Sequence, residues 1–146
     1  MDLEQALAGV DLFSGLDKKH LRRLARKARV VHYDPGHEII TAGQSGYHGG
    51  LGIMGVVLSG SLKVLNREGE EFARIGSGEV FGEMSLIDDQ ARSATVVAEE
   101  PTEAATLSAW DFRKELPENS EMTLSLLRTL SQRLREARGQ TPESGR

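Results

Sequence analysis

The stretch that decides the fold is Phe81-Gly82-Glu83-Met84-Ser85-Leu86-Ile87-Asp88-Asp89-Gln90-Ala91-Arg92-Ser93-Ala94-Thr95-Val96. Met84 to Ile87 suit one turn of helix, which the polar run Asp88-Asp89-Gln90 breaks. After Arg92-Ser93-Ala94 comes the β-branched run Thr95-Val96-Val97, which reads as a strand. The order is therefore glycine, short helix, loop, arginine, strand, and it suits the capture of a small anion. The first amides of a helix have no intrahelical partner and carry partial positive charge, so a phosphate placed there meets ready N–H donors. Gly82 has no Cβ and lets a ligand approach the backbone. Arg92 adds a full charge and a planar fork of donors, and Ser93 adds a hydroxyl. Glu83 repels a bare phosphate, so it fits a ligand that also offers a hydroxyl donor, such as a ribose 2′-OH. Taken singly, Glu83 and Arg92 also read as a surface ion pair worth about 0–1 kcal/mol, and Gly82 as a turn residue.

Upstream of this stretch, Asp2 to Val10 is predicted to form a short helix ended by Gly9, with Phe13 as an anchor on the core. Asp17 is a good N-cap for a second helix, in which Leu21, Leu24, Ala25 and Ala28 recur on one face. Lys18, Lys19, Arg22, Arg23, Arg26, Lys27 and Arg29 fill the rest. That basic cluster reads as a solvated face, with contact to nucleic acid or an acidic partner as the alternative. From Val30 the period changes to that of strands: Val30–Tyr33, His37–Thr41, Ile53–Leu58, Ser61–Leu65, Glu71–Ile75, Thr95–Ala98 and Glu103–Leu107. Glycines punctuate them, and short strands so spaced argue for an antiparallel sandwich or barrel.

Between Gly43 and Gly55 lies a glycine-rich run, read as an insertion that covers the pocket, meets a partner or is simply flexible. Within it, Gly50-Leu51-Gly52-Ile53-Met54-Gly55 formally fits a dinucleotide fingerprint, but a strand pattern follows where that motif needs a helix. Ser108 caps a helical turn through Arg113, Pro117 breaks the chain, and Asn119 or Ser120 caps a final helix. Leu124, Leu127, Leu130 and Leu134 line one stripe of that helix, with Met122 and Leu126 beside it. This stripe must bury itself on the domain or against a second copy.

The 146 residues suit one domain with a real core, and 27% charged residues against 38% hydrophobic mark a globular chain. A net charge of −4 disfavours general nucleic-acid binding. Without cysteine there is no disulfide or thiol chemistry. No apolar run approaches a membrane span and the N-terminus lacks a signal core, so a cytoplasmic location is expected. His20, His32, His37 and His48 are scattered without metal-ligand spacing, which speaks against a metal-binding cupin. No nucleophile elbow or P-loop appears, so neither a catalytic residue nor a metal or other cofactor is expected.

Phe81-Gly82-Glu83 followed, at matching spacing, by Arg92-Ser93-Ala94 resembles the phosphate-binding cassette of the cyclic nucleotide-binding domains. The resemblance extends from about the second helix to the last, through Leu58-Ser59-Gly60-Ser61-Leu62-Lys63-Val64 and Ile75-Gly76-Ser77-Gly78. It implies a mainly β fold with flanking helices (α+β): an antiparallel β-roll, or double-stranded β-helix jelly roll, with N-terminal helices and a C-terminal helix. It implies that Glu83 accepts from the ribose 2′-OH, that Arg92 pairs with the cyclic phosphate, and that amides near Met84, Ser85 and Ser93 contact the same phosphate. Phe81, Gly82 and Ala94 complete the expected site. Ala91 stands where many members have proline.

In the catabolite activator branch the last helix caps the base through a Thr-Ser pair. Ala137 and Arg138 stand there in this chain, so the hydroxyls are absent, although Arg138 can stack on a purine. The expected ligand is cyclic AMP or cyclic GMP, with cyclic AMP favoured and the base preference left open by these two positions; residues 1–138 bind it and residues 139–146 are expected to be a disordered tail. The expected role is a sensor that shifts its helices on binding and signals to a second copy through the C-terminal helix, or to a separate effector protein. A DNA-reading helix-turn-helix is not expected in this chain. The alternative is a structural or partner-binding domain that keeps the fold without the ligand.

Overall fold

The computed structural model describes residues 2–10, 13–44, 53–82, 92, 94–115 and 120–139. Among the described residues, eight strands form two four-stranded antiparallel sheets. The first sheet has the order β1 (Arg29–Tyr33), β8 (Thr102–Ser108), β3 (Ile53–Ser59), β6 (Val80–Phe81). The second has the order β2 (Glu38–Ile40), β7 (Thr95–Ala98), β4 (Leu62–Leu65), β5 (Glu71–Ile75). The strands fall where the sequence pattern puts them, within a residue or two at their ends. β6 is the addition: two residues are too few to show an alternation, and only pairing with β3 makes them a strand. Ile53, Met54 and Gly55 open β3, so the fingerprint-like run leads into a strand and not a helix.

Alternation along β3 divides the interior in two. Val57 faces Tyr33, Ile40, Leu62, Phe81, Val96, Ala98 and Ala104 between the sheets. Met54 and Val56 point the other way, to Leu107 and the helices. Both faces are buried, and this is why β3 reads as a continuous apolar run. The helical layer comprises α1 (Leu3–Ala8), α2 (Lys18–Lys27) and α3 (Ala109–Glu115). Asp2 caps α1 and Asp17 caps α2, their carboxylates accepting from the amides of Glu4 at 3.1 Å and His20 at 3.0 Å. Ser108 caps α3, its Oγ accepting from Asp111 N at 3.1 Å. Phe13 is buried, with its ring centroid 6.0 Å from that of Phe112.

Glu115, at the end of α3, is only 1% exposed. Its Oε2 lies 3.5 Å from Arg23 Nη2 and 3.6 Å from Lys27 Nζ on α2. Among the described residues its Oε1 has no hydrogen-bond partner. A carboxylate so buried depends on its two cations, because desolvating a lone charge costs several kcal/mol.

The final helix, α4 (Ser120–Ala137), lies close to the turn at Ser14 and Gly15. Ser125 is buried, with its Oγ 3.1 Å from Ser14 Oγ. A Cβ on Gly15 would stand 2.7 Å from Glu121 O, so glycine lets that turn approach the helix backbone. Leu130 packs on the helical core, whereas Leu124, Leu127 and Leu134 are 41%, 58% and 54% exposed. The leucine stripe thus remains largely uncovered by its own domain. Gly139, at φ +77°, donates its N–H to Glu136 O at the end of α4. No described helix is long and apolar enough to cross a membrane.

Two outcomes follow for stability. Arg23→Ala with Lys27→Ala should cost about 3–5 kcal/mol in urea unfolding, and adding Glu115→Leu should restore most of it. A backbone amide donated by His20, and the His20 ring beside it, hold the Asp17 carboxyl below the usual carboxylate range. A depressed folded-state pKa stabilises above the unfolded value and is lost as pH falls through the folded one. Asp17→Ala should therefore lower Tm at neutral pH, by a margin that shrinks as pH drops below the ordinary aspartate range.

Candidate functional site

The site begins at the close contact of β3 with β6. Gly55 and Phe81 are register partners. A Cβ on Gly55 would collide with the Phe81 ring, 2.6 Å from Cε1, so the absent side chain is what seats the ring. Phe81 is 2% exposed and belongs to the core between the sheets. Its contribution is to anchor the next residue.

That residue, Gly82, has φ +76°, a conformation that costs a residue with a Cβ about 1–2 kcal/mol. A Cβ there would meet Ile53 O at 2.7 Å, Arg92 Nη1 at 3.2 Å and Ile40 Cδ1 at 3.2 Å. Gly82 therefore makes the turn and also leaves room for a guanidinium. Arg92 occupies that room half-buried, with Nη2 donating to Ile53 O at 3.1 Å. The charge lies at the edge of the roll interior, beside the side chain of Ile40, which is itself in the core.

Backbone bonds fix where Arg92 leaves the chain. Its N–H donates to Gln44 O at 2.6 Å, and its carbonyl accepts from Gly43 N at 2.9 Å and Arg67 Nη2 at 3.3 Å. Three residues on, Thr95 Oγ1 accepts from Ala42 N at 3.0 Å. The start of the glycine-rich run is thus bonded to the arginine segment. Sequence reasoning missed Gly43, Gln44 and Arg67 as supports, and Ile53 as the carbonyl that orients the guanidinium. A carbonyl acceptor leaves no mark in residue type, and pairing across such a sequence distance shows only in the fold. A groove of about 340 Å³ beside Arg67 and Thr95 is lined also by Leu65, and these strand residues alternate with the inward-facing Val64 and Val96. It therefore opens on the outer face of the second sheet, away from Ile40.

Of the expected site residues, the structure brings together Phe81, Gly82 and Arg92. Ala94, half-buried, leads into β7. Glu83, Met84, Ser85 and Ser93 lie outside the described residues, as do the expected helical turn and the centre of the glycine-rich run. At the base-cap positions the backbone of Ala137 is helical and Arg138 is exposed just beyond α4. The histidines described have local partners: His20 with Asp17, His32 with Glu103 at 3.1 Å, and His37 against the Tyr33 ring.

These strands and helices make a jelly-roll domain with helices at both ends. The sequence model for the Cyclic nucleotide-binding domain matches residues 30–119, and the chain belongs to that family. It is 38% identical over 136 residues to the Cyclic AMP receptor protein of Thermus thermophilus, covering 90% of this chain and 60% of that protein. It is 32% identical over 114 residues to a cGMP-dependent protein kinase of Caenorhabditis briggsae, covering 74% of this chain and 15% of the kinase. The chain thus spans only part of the length of these curated relatives. Among solved structures, the N-terminal domain of a transcriptional regulator from Streptomyces coelicolor superposes with a TM-score of 0.75 at 27% identity, covering 93% of this chain and 96% of that one. The jelly roll and flanking helices expected from the sequence are those of this family.

Gly82→Ala should push Arg92 off Ile53 O and strain the turn together. We expect a loss of ligand affinity of about tenfold or more, measured by calorimetric titration with cyclic AMP or cyclic GMP, with the circular dichroism of the sheets retained.

Proposed function

We propose that the chain is a cyclic nucleotide sensor module with no catalysis of its own, preferring cyclic AMP to cyclic GMP. The observation that carries this reading is the Arg92 guanidinium, held by Ile53 O against the left-handed Gly82 at the edge of the roll interior. A ring-closed phosphodiester carries a single negative charge, and a planar fork of donors suits its two free oxygens. Glu83, directly after Gly82, is the acceptor for the ribose 2′-OH. Backbone amides at Gly82 to Ser85, with Ser93, complete the hold on the phosphate. The preference for cyclic AMP is supported by the higher identity and coverage of the cyclic AMP receptor relative.

The output is a population shift, in which ligand favours one placement of the helices by its differential affinity. Ile53, which holds Arg92, is the register partner of Ser108, and α3 begins at the next residue. Movement at the arginine thus has a short route to the helical layer. The uncovered face of Leu124, Leu127 and Leu134 supports pairing of α4 with a second copy, or contact with a separate effector. Residues 1–138 form the sensing unit in this reading, and 139–146 its tail.

Thermal unfolding with cyclic AMP, cyclic GMP and plain AMP in parallel tests the reading. A true ligand at about a hundred times its Kd adds about 2.7 kcal/mol of stability. We expect that gain with cyclic AMP, less with cyclic GMP and little with the open dianionic AMP. Arg92→Ala should remove about 2–5 kcal/mol of cyclic AMP binding, and parental affinity in that variant would overturn the site.

A further inference from the structure

The basic residues of α2 divide into two sets. Arg23 and Lys27 turn toward α3 and neutralise Glu115. Lys18, Lys19, Arg22 and Arg26 are exposed on the other side. Lys18, Arg22 and Arg26 are spaced four apart, so they form one row about 12 Å long with Lys19 beside it. Within the helix no acidic residue interrupts them. Among the described residues Arg22 has one carboxylate, Glu4 Oε1, at 3.8 Å, while Lys18, Lys19 and Arg26 make no ion pair. Like charges at this spacing repel, so the row weakens the helix that carries it. Yet the whole chain carries a net charge of −4, and solubility does not call for a concentrated patch of the opposite sign.

Beside the row runs a shallow groove of about 350 Å³ between α1 and α2, lined by Asp2, Leu3, Glu4, Arg22, Ala25 and Arg26. Leu3 and Ala25 are its apolar lining, and Asp2 and Glu4 line it as well as Arg22 and Arg26.

From this geometry we infer that the exposed face of α2 is a docking surface for a short acidic helix of another protein. Carboxylates repeating every fourth residue match the row one to one, because both helices rise about 6 Å per four residues. An apolar residue between those carboxylates settles on Leu3 and Ala25. A nucleic acid is the poorer fit: the row is only about 12 Å long and the whole chain carries a net charge of −4, whereas a short helix can set its carboxylates against Lys18, Lys19 and Arg26 and away from Asp2 and Glu4. None of these residues takes part in the nucleotide site, so this surface stands or falls independently of that reading.

The test uses the full chain and a fluorescein-labelled acidic peptide of about twelve residues, with glutamates every fourth position and leucines between, read by anisotropy. We expect saturable binding that weakens roughly tenfold on raising salt from about 50 to about 200 mM. Lys18→Gln with Arg26→Gln should weaken it by a further tenfold or more, while Tm stays equal or rises because repulsion is relieved. Cyclic AMP affinity and oligomeric state should be unchanged in that variant. Absence of peptide binding overturns the proposal. So does binding that survives the double substitution, a short DNA duplex or a phosphatidylserine vesicle bound as tightly as the peptide, or a change of oligomeric state that would assign the face to a second copy.

Discussion

A ring packed on a glycine governs the geometry of the candidate site. Phe81 lies where Gly55 has no side chain, and this contact clamps β6 to β3 although β6 is only two residues long. From that clamp the chain turns at Gly82, and the turn falls beside Ile53, two residues before Gly55 on the same strand. The Ile53 carbonyl is then in reach of Arg92, arriving from the segment that leads into β7. The charge is therefore placed by the core packing of an aromatic ring. Burying a ring of this size contributes about 1.5–3 kcal/mol toward fixing the short β6 and the turn that follows it.

A second organising constraint runs through β3 itself. Its two faces serve two cores, one within the roll and one under the helices, so neither sheet nor helical layer can shift without the other feeling it. Glu115 extends that coupling to α2 by a buried carboxylate between two cations. The same ion pairs sort the basic residues of α2 into a structural set and an exposed one. A helix that looks uniformly basic in sequence thus has two chemically different sides.

α4 shows how packing chooses between faces that composition leaves open. Leucines at helical spacing invite burial, yet among the described side chains only Leu130 packs on the core, while Ser125 and the backbone at Glu121 meet Ser14 and Gly15. Gly15 lets the backbones approach, and Leu124, Leu127 and Leu134 stay exposed. Their apolar area, lying on one stripe of an amphipathic helix, is what the proposed pairing of α4 would bury.

Much of this was legible in the chain alone. Alternating β-branched runs with glycine turns gave the strands, Asp2, Asp17 and Ser108 marked the helix starts, and the order Phe81-Gly82-Glu83 to Arg92-Ser93-Ala94 pointed to the family. These are local signals, since turns, caps and periodicity depend on near neighbours. Tertiary structure alone decided that Gly55 exists for Phe81, that β6 is a strand, that Ile53 O orients Arg92, and that Gly43 and Gln44 hold its backbone. It also decided which cations of α2 Glu115 captures and which leucines of α4 stay outside. Each of these is a contact between residues far apart in sequence, and its energy arises only when the fold brings the two partners within touching distance.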